Sequence, residues 1–559
     1  MDTSGDSPEA FLGSQGERRS ARWLPWVALP YAVAVVCLLL RQPDVVGLLH
    51  DDGVYYSMAR SIERGAGPVD GHMVESARTN RFPALFPALL ATAAEPLRVA
   101  RDGLGGVHRL VALNGVWLGI ALFAFLQWLL RFKRWPPLLA ACCAALLFTL
   151  PHVIGLAQHL MSESLFLAEV TVALLLCERA AARGTRGSLL LAGLASGLLP
   201  ATRTAGAAIA AGLALFQVAR VERGRRVALF AAGAAAPWIA FAVWSFSSRG
   251  SAIVDSPLLG PPYLRLFLAH LRELPWIAWV NLVRCADGWL SIVAPGAPAA
   301  ASAASALARA GIALICLGAV VAAAVRGRRG IELFACVPYL ALLLIWPFPD
   351  LRFVVPVAGL LFVAMVDASR TLVRAATPAW GIAAVALLIW NARLATRALD
   401  CGLHEAPFFS SRVPVAPLRE AASWLQAATP RTALFASSLD PALHFLSDRP
   451  GVSPWANDLA YLESYFDRRP SWRRLYGGAP SRAAMEALFA HTDDVLAQYR
   501  RLGVRHVVHL RTGPIGHATY EALVDHLVRT HPPTSHLFER VFTTSDRSIE
   551  IWRFDAAAR

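Results

Sequence analysis

Charged residues are scarce in this chain of 559 residues, and the scarcity limits what kind of protein it can be. They account for 16% of the sequence, whereas hydrophobic residues account for 56%. Typical soluble domains carry about 25% charged residues. Many of the apolar runs reach the roughly 20 residues needed to cross a bilayer. The composition excludes an ordinary soluble protein and predicts a polytopic α-helical membrane protein.

Three further patterns are absent from the sequence. No Cys-x-x-Cys pair and no Cys/His metal spacing occurs, which argues against a cysteine-based metal or redox centre. No internal repeat is visible, although transporters are commonly built from repeats. The first apolar run, 23–40, is not followed by a small-x-small cleavage site, so we expect a retained anchor and not a removed signal peptide.

Basic residues outnumber acidic ones, 53 to 39. They cluster between apolar runs, which indicates positive-inside topology and not a nucleic-acid partner. The apolar runs predict about eleven spans: 23–40, 109–130, 136–151, 160–177, 188–202, 204–219, 227–246, 305–325, 331–347, 353–367 and 378–396. The basic clusters then fall on one side, at 131–134, 179–186, 220–226, 326–329 and 370–374. We therefore expect the cytoplasmic membrane of a bacterium, with the N-terminus inside and the C-terminus outside.

This topology divides the chain into three parts. Residues 1–22 form a cytoplasmic tail, and residues 23–399 form a multi-pass domain with outer loops at 41–108 and 247–304. Residues 400–559 have a different composition and predict an extracytoplasmic α/β domain. Its helices are expected at 419–428, 483–502 and 520–529, and its strands at 432–436, 504–510, 537–543 and 548–554.

An acidic pair, Asp51-Asp52, follows the first apolar run. One interpretation is an N-cap, since an amphipathic pattern with Val54 and Met58 follows it. The other is catalytic, because a carboxylate at the membrane surface could deprotonate an acceptor hydroxyl or hold a cation. The two interpretations are compatible when two carboxylates are present.

Two further groups of polar residues lie at the predicted outer ends of spans. His159 and Glu163 are four residues apart and would share a helix face, either as a structural pair or as functional groups. Glu169, further into the span, is an alternative to Glu163. Arg203 and Arg352 offer donor forks suited to phosphate, although either could instead extend to the membrane interface. We expect the two arginines to converge on one anionic head group.

These motifs, taken together, resemble the GT-C superfamily of membrane glycosyltransferases. The nearest groups are relatives of aminoarabinose transferase, protein O-mannosyltransferase and galacturonosyltransferase. The resemblance covers roughly residues 23–395. It is carried by His50-Asp51-Asp52-Gly53-Val54-Tyr55-Tyr56, by Arg81-Phe82-Pro83, by Ser162-Glu163-Ser164-Leu165-Phe166 (with Ser164 where the family has Pro), by Thr202-Arg203 and by Asp350-Leu351-Arg352-Phe353.

The resemblance implies a function and a set of roles. A sugar would move from a polyprenyl-phosphate donor to a lipid, glycan or protein acceptor in one inverting displacement. Asp51 matches the family's catalytic base, with Asp52 as its acidic neighbour, and Glu163 joins them as a catalytic candidate. The expected substrate-binding residues are Tyr55, Tyr56, His159, Arg81, Arg203 and Arg352.

The resemblance leaves metal dependence open, since some relatives bind a divalent cation and others do not; Asp51 and Asp52 would be its ligands. Membrane lipids are expected partners, and nucleic acid is not. Two other classes stay open from the sequence. One is a transporter, and the other is a membrane scaffold or sensor whose C-terminal domain binds a partner. A scaffold would leave the polar groups without a common cleft.

Overall fold

The computed structural model describes residues 45–69, 83–94, 104–220, 224–247, 271–293, 330–346, 351–372, 376–400, 415–452, 492–511, 518–530 and 532–557, with a few single residues between them. The predicted spans 23–40 and 305–325 and the residue Arg81 lie outside these ranges.

Helices make up most of the N-terminal part. They are α1 (Asp51–Glu63), α2 (Leu85–Ala94), α3 (Leu104–Arg131), α4 (Pro137–Phe148), α5 (Pro151–Ala157), α6 (Glu163–Arg183), α7 (Arg186–Thr202), α8 (Gly206–Arg220), α9 (Gly224–Ser247), α10 (Leu274–Val293), α11 (Ile331–Ile345), α12 (Leu351–Leu372) and α13 (Ala376–Asp400). A short 3-10 turn, Leu271–Glu273, precedes α10. Most of the predicted spans therefore coincide with helices.

Two of these helices are long and apolar enough to cross a membrane, over Val107–Arg131 and Arg352–Arg370. A third span results if α4 and α5, which meet at a bend of 50°, are counted together. The described residues thus contain two or three recognisable spans, and the count of eleven stays a prediction. Large apolar side chains are exposed on several helices, including Phe123, Val243 and Ile382. Such surfaces suit contact with lipid.

The helical bundle is bordered by two layers of polar residues. One layer contains Asp51, Glu163 and Arg352. In the other, Lys133 Nζ lies 2.6 Å from Glu332 Oε1 and 3.1 Å from Asp367 Oδ2. The helix α12 joins the layers, with Arg352 at one end and Asp367 about 22 Å along its axis at a rise of about 1.5 Å per residue. Between these two residues, α12 contributes Val357 and Phe362 to the apolar core of the bundle.

A mixed five-stranded sheet forms the centre of the C-terminal part. In chain order its elements are α14 (Val415–Ala428), β1 (Leu434–Ala436), α15 (Asp440–Ser447), β2 (Gly451–Val452), α16 (Thr492–Leu502), β3 (Val504–Leu510), α17 (Ala518–Asp525), a π-helical turn (His526–Thr530), α18 (Pro532–Ser535), β4 (Phe538–Thr543) and β5 (Ile549–Phe554). The strand order is β2-β1-β3-β5-β4. Strand β1 runs parallel to β2 and β3, whereas β5 is antiparallel to β3 and β4. The predicted combination of a helical bundle with a C-terminal α/β region is confirmed.

The segment preceding α1 is buried in the C-terminal part. Val45 and Leu48 belong to the same apolar cluster as Leu418 of α14 and Phe435 of β1. The described start of the first loop is therefore packed into the C-terminal part.

Candidate active site at the start of helix α1

The acidic pair begins α1 and does not cap it. The N-cap is His50, and no side chain makes a capping hydrogen bond there. The Asp52 carboxylate is buried and accepts hydrogen bonds from Gly47 N at 2.8 Å and Leu49 N at 3.0 Å, both upstream of the helix. The capping interpretation is therefore wrong. Asp52 instead fixes the turn from which α1 starts.

Asp51 points to a different partner. Its Oδ2 atom lies 2.6 Å from Nη1 of Arg352, the second residue of α12. Both side chains are partly exposed, so the pair is accessible to solvent. The contact therefore joins the start of α1 to the start of α12.

Arg203 lies close by, beside the Phe353 ring. The guanidinium carbons of Arg203 and Arg352 are each 5.2 Å from the centroid of that ring. Arg203 is buried and forms an ion pair with Glu163, the first residue of α6. Tyr339 fixes the Phe353 segment, since its hydroxyl donates to Phe353 O at 2.9 Å. Two arginines from separate helix ends thus meet at one aromatic side chain.

Tyr55 contributes a hydroxyl to the same cluster. Its oxygen lies 3.1 Å from Ser162 Oγ, and its ring packs edge-on against Phe86 at 5.2 Å. Burial raises the pKa of Tyr55 to about 12, and the charges of Arg203, Asp51 and Glu163 all act on it. Tyr55 is therefore a neutral hydrogen-bonding group at neutral pH.

His159 and Glu163 do not share a helix face, contrary to the prediction. His159 lies in the turn before α6, where Asn114 Nδ2 donates to its carbonyl at 2.7 Å and to that of Ala157 at 3.0 Å. The imidazole Nδ1 lies 3.7 Å from Asp52 Oδ2, whereas Glu163 pairs with Arg203. The turn breaks the expected four-residue spacing because Asn114 binds the carbonyls of the turn.

Tyr56 and Glu169 are not part of this cluster. Tyr56 packs against Phe445 of α15, with ring centroids 5.1 Å apart. Glu169 lies deeper in α6 and accepts a hydrogen bond from Thr202 Oγ1 at 2.7 Å. The structure thus brings together Asp51, Tyr55, Glu163, Arg203 and Arg352, with Asp52 and His159 supporting the turn beside them.

Comparison with solved structures identifies the architecture. The model superposes on the crystal structure of ArnT from Cupriavidus metallidurans bound to undecaprenyl phosphate with a TM-score of 0.50 and 16% identity, over 96% of this chain and 99% of that one. ArnT is a GT-C lipid-phosphate glycosyltransferase. The chain has the GT-C fold.

Two other glycosyltransferase structures match with lower scores. The oligosaccharyltransferase AglB from Archaeoglobus fulgidus, in complex with an inhibitory peptide and a dolichol-phosphate, gives a TM-score of 0.47 and 12% identity over 94% of this chain and 74% of that one. The mycobacterial arabinofuranosyltransferase AftD gives 0.43 and 15% over 95% of this chain and 40% of that one. No protein-family model and no curated protein matches the sequence significantly. At 16% identity, the ArnT comparison shows the fold alone.

The acidic pair does not fit a divalent cation in this arrangement. Asp51 is paired with the cation Arg352, and both oxygens of Asp52 accept main-chain N–H groups. Within the described ranges, no group of three His, Cys, Asp or Glu side chains is placed to hold a metal. Hard cations such as Mg²⁺ and Ca²⁺ need several oxygen ligands.

Three residues of the site were not identified from the sequence. Phe353 lies beside both arginines, Ser162 contacts Tyr55, and Asn114 holds the turn beside His159. A polar residue inside an apolar run is a signal of function or pairing, and Asn114 in the run 109–130 carries that signal. Phe353 and Ser162 belong to the sequence motifs that carry the family resemblance, but their spacing does not show which residues they contact.

Proposed function

We propose that this protein is a glycosyltransferase that moves a sugar from a polyprenyl-phosphate donor to an acceptor at the outer face of a bacterial cytoplasmic membrane. The observation that carries the proposal is the 2.6 Å contact of Asp51 with Arg352, with Arg203 beside the same Phe353 ring as Arg352. The site combines a carboxylate able to accept a proton with two guanidinium groups able to bind a phosphate. The GT-C fold supports the same assignment.

In the proposed reaction, Asp51 accepts the proton of an acceptor hydroxyl or amine as that atom attacks the anomeric carbon of the donor sugar. The bond between this carbon and the phosphate oxygen breaks, and its electron pair stays on the phosphate. The configuration at the anomeric carbon inverts. The added negative charge develops on the leaving phosphate, where arginine side chains stabilise it best because their planar forks match phosphate oxygens.

The pairing of Arg352 with Asp51 suits this sequence of events. A phosphate that attracts the Arg352 guanidinium weakens its hold on Asp51, and the carboxylate can then turn to the acceptor when the donor is bound. Arg203 is held by Glu163 and lies against two aromatic rings, Phe353 at 5.2 Å and Phe166 at 6.0 Å. We assign Arg203 to donor binding without a change of partner. We assign Arg352 to exchange Asp51 for the donor phosphate when the donor binds.

A transporter and a membrane scaffold or sensor, the two other classes left open by the sequence, fit this cluster of charged residues less well. Transporter sites are usually near the middle of the bilayer, whereas this cluster is at the ends of α6, α7 and α12. A scaffold would not need carboxylates and arginines from four segments of the chain to meet. The meeting of Asp51, Glu163, Arg203 and Arg352 therefore favours an enzyme.

The full topology belongs to this proposal. We propose about eleven spans, an inner N-terminal tail and an outer C-terminal domain. The burial of Val45 and Leu48 in the C-terminal apolar cluster supports an even number of crossings between the first loop and that domain.

The test is a comparison of lipid-linked sugars and surface glycans in cells with and without the protein. Cells that lack it should accumulate one polyprenyl-phosphate sugar and lose one surface sugar, and the purified protein should transfer that sugar from the isolated lipid. Wild-type protein should restore the glycan, whereas Asp51→Asn protein at equal abundance should not. Unchanged lipids and glycans in the deleted strain would contradict the proposal.

A further inference from the structure

The backbone at His50 adopts a conformation that L-amino acids rarely take. Its φ is +64° and its ψ is −63°. Asp51 N donates to Leu49 O at 2.8 Å, across His50. This is the γ-turn that is uncommon and strained for residues with a β-carbon. Strained residues persist only where the surrounding structure determines them, and they are concentrated at functional sites.

The turn is held from within by Asp52. Its carboxylate accepts from Gly47 N and Leu49 N, and Gly47 itself has a φ of +95°. These contacts fix the path of the main chain up to Leu49. They leave the orientation of the His50 and Asp51 side chains to contacts with other parts of the molecule.

The helix α15 supplies such contacts from the C-terminal part. A β-carbon added at Gly53 would lie 2.3 Å from Pro441 Cβ, and one added at Gly47 would lie 2.5 Å from Ala442 N. Tyr56 packs on Phe445 in the same interface. The two glycines therefore permit α15 to lie directly against the turn.

Asp440, the first residue of α15, reaches the His50 side chain. Its Oδ1 lies 3.7 Å from His50 Nε2, while His50 Nδ1 lies 3.7 Å from Asp51 Oδ1. Asp440 has no solvent exposure. The imidazole is thus placed between a buried carboxylate of the C-terminal part and the proposed catalytic carboxylate.

We propose that Asp440 is a positioning residue for the transfer reaction, acting through His50 to hold Asp51 in place. The C-terminal part then completes the active site and is not only a binding module. This inference rests on the proposed role of Asp51 as the base. A purely structural role is the alternative, because an acidic residue in the first turn of a helix is also favoured by the helix dipole.

A double-mutant cycle separates the two roles. The variants are Asp440→Asn, His50→Gln and the double variant, and Asp448→Asn is the control. Asp448 is the C-cap residue directly after the same helix and its side chain is 70% exposed, so this control makes the same chemical change away from the turn. We expect Asp440→Asn and His50→Gln each to lower kcat about 10–100-fold, as small displacements of catalytic groups do. Donor KM and Tm should stay near the wild-type values.

In the double variant the two fold-losses of kcat should not multiply, since both substitutions break the same series of contacts from Asp440 through His50 to Asp51. Losses that multiply, or that follow a fall in Tm, would overturn the positioning role. A wild-type kcat in both single variants would overturn it as well. Activity in Asp448→Asn should match that of wild type.

Hydrogen–deuterium exchange over residues 45–56 provides a readout that does not depend on transfer. Asp440→Asn should accelerate exchange at the amides of residues 49–52, whereas Asp448→Asn should not. If wild-type protein transfers no sugar from any polyprenyl-phosphate donor but the exchange result holds, the proposed function fails and the positioning contact stands. Unchanged exchange in Asp440→Asn would remove the positioning contact whatever the activity.

Discussion

The carboxylate of Asp51 lies 2.6 Å from the guanidinium of Arg352, and this contact joins the first loop to the start of α12. Asp51→Asn keeps the size of the side chain but removes its charge. Because Asp51 is partly exposed and does not cap α1, we expect folding and membrane insertion to be intact. Loss of a general base typically lowers the rate by about 10²–10⁴-fold. Transfer from the isolated donor measures the effect, and full activity in an Asp51→Asn, Asp52→Asn variant would contradict the mechanism.

Asp52→Asn should lower stability more than Asp51→Asn does, and it should lower the transfer rate less. The Asn side chain has one acceptor oxygen in place of two, so either Gly47 N or Leu49 N loses its partner. A buried donor left without an acceptor costs about 1–3 kcal/mol. We expect a lower Tm and faster hydrogen exchange over residues 45–53, with a smaller loss of kcat than in Asp51→Asn. A wild-type Tm would show that Asp52 does not stabilise the turn.

Arg203 and Glu163 allow donor binding to be separated from stability. Arg203→Gln leaves the buried Glu163 carboxylate without its partner, and breaking a buried ion pair in this way costs about 3–5 kcal/mol. The double variant Arg203→Gln, Glu163→Gln removes both charges and should recover most of the Tm. Its donor KM should stay high, because the phosphate loses a guanidinium in both variants. Recovery of wild-type donor KM together with Tm would show that Arg203 is only structural.

Glu521 in α17 predicts a pH dependence of stability. Burial raises its pKa to about 8, although hydrogen bonds from Ser438 Oγ and Leu510 N act in the opposite direction. Between pH 4.5 and 8 the folded state keeps a proton that the unfolded state releases, so stability falls as pH rises through this window and levels off above it.

Glu521→Gln should remove this contribution, and its Tm should fall less than that of wild type between pH 5 and pH 8. The comparison uses the difference between the two proteins because His509 also titrates. Burial lowers the pKa of His509, whose Nε2 lies 3.9 Å from Glu521 Oε2, and this adds a contribution of opposite sign. Parallel Tm curves would contradict a raised pKa at Glu521.

The topology predicts opposite locations for two reporter fusions. Helix α13 spans Ala376–Asp400, and the basic residues Arg370 and Arg374 precede it. A fusion after Arg374 should report the cytoplasm and one after Asp400 the outer side. Fusions that report the same side would show that α13 does not cross the membrane, and the proposed orientation would have to change.

Much of the secondary structure follows from periodicity in the sequence. The predicted strand 504–510 has the same bounds as β3, because its apolar run is rich in valine. The pattern missed α15 and β2, which are 8 and 2 residues long. Such short elements depend on tertiary contacts more than on local pattern.

The site was predicted less completely than the fold. The motifs indicated Asp51, Arg203 and Arg352, since carboxylates and arginines at the ends of apolar runs are unusual. The partners of Asp52 and Glu163 could not be predicted, because they depend on how separate helix ends meet. His159 is an example. Its spacing from Glu163 fits a helix, but the segment forms a turn in which Asn114 from α3 donates to the carbonyls of Ala157 and His159.

The γ-turn at His50 has a consequence for how the protein is made. The turn is synthesised early, whereas α15, which lies against it, comes from the last quarter of the chain. At roughly 5–20 residues per second, the ribosome needs on the order of tens of seconds to reach α15 after α1. During that interval the growing chain has the acidic pair but not the helix that supports it. We therefore expect sugar transfer to begin only when the C-terminal part has been exported and folded, so an incomplete chain in the membrane would not consume the lipid donor.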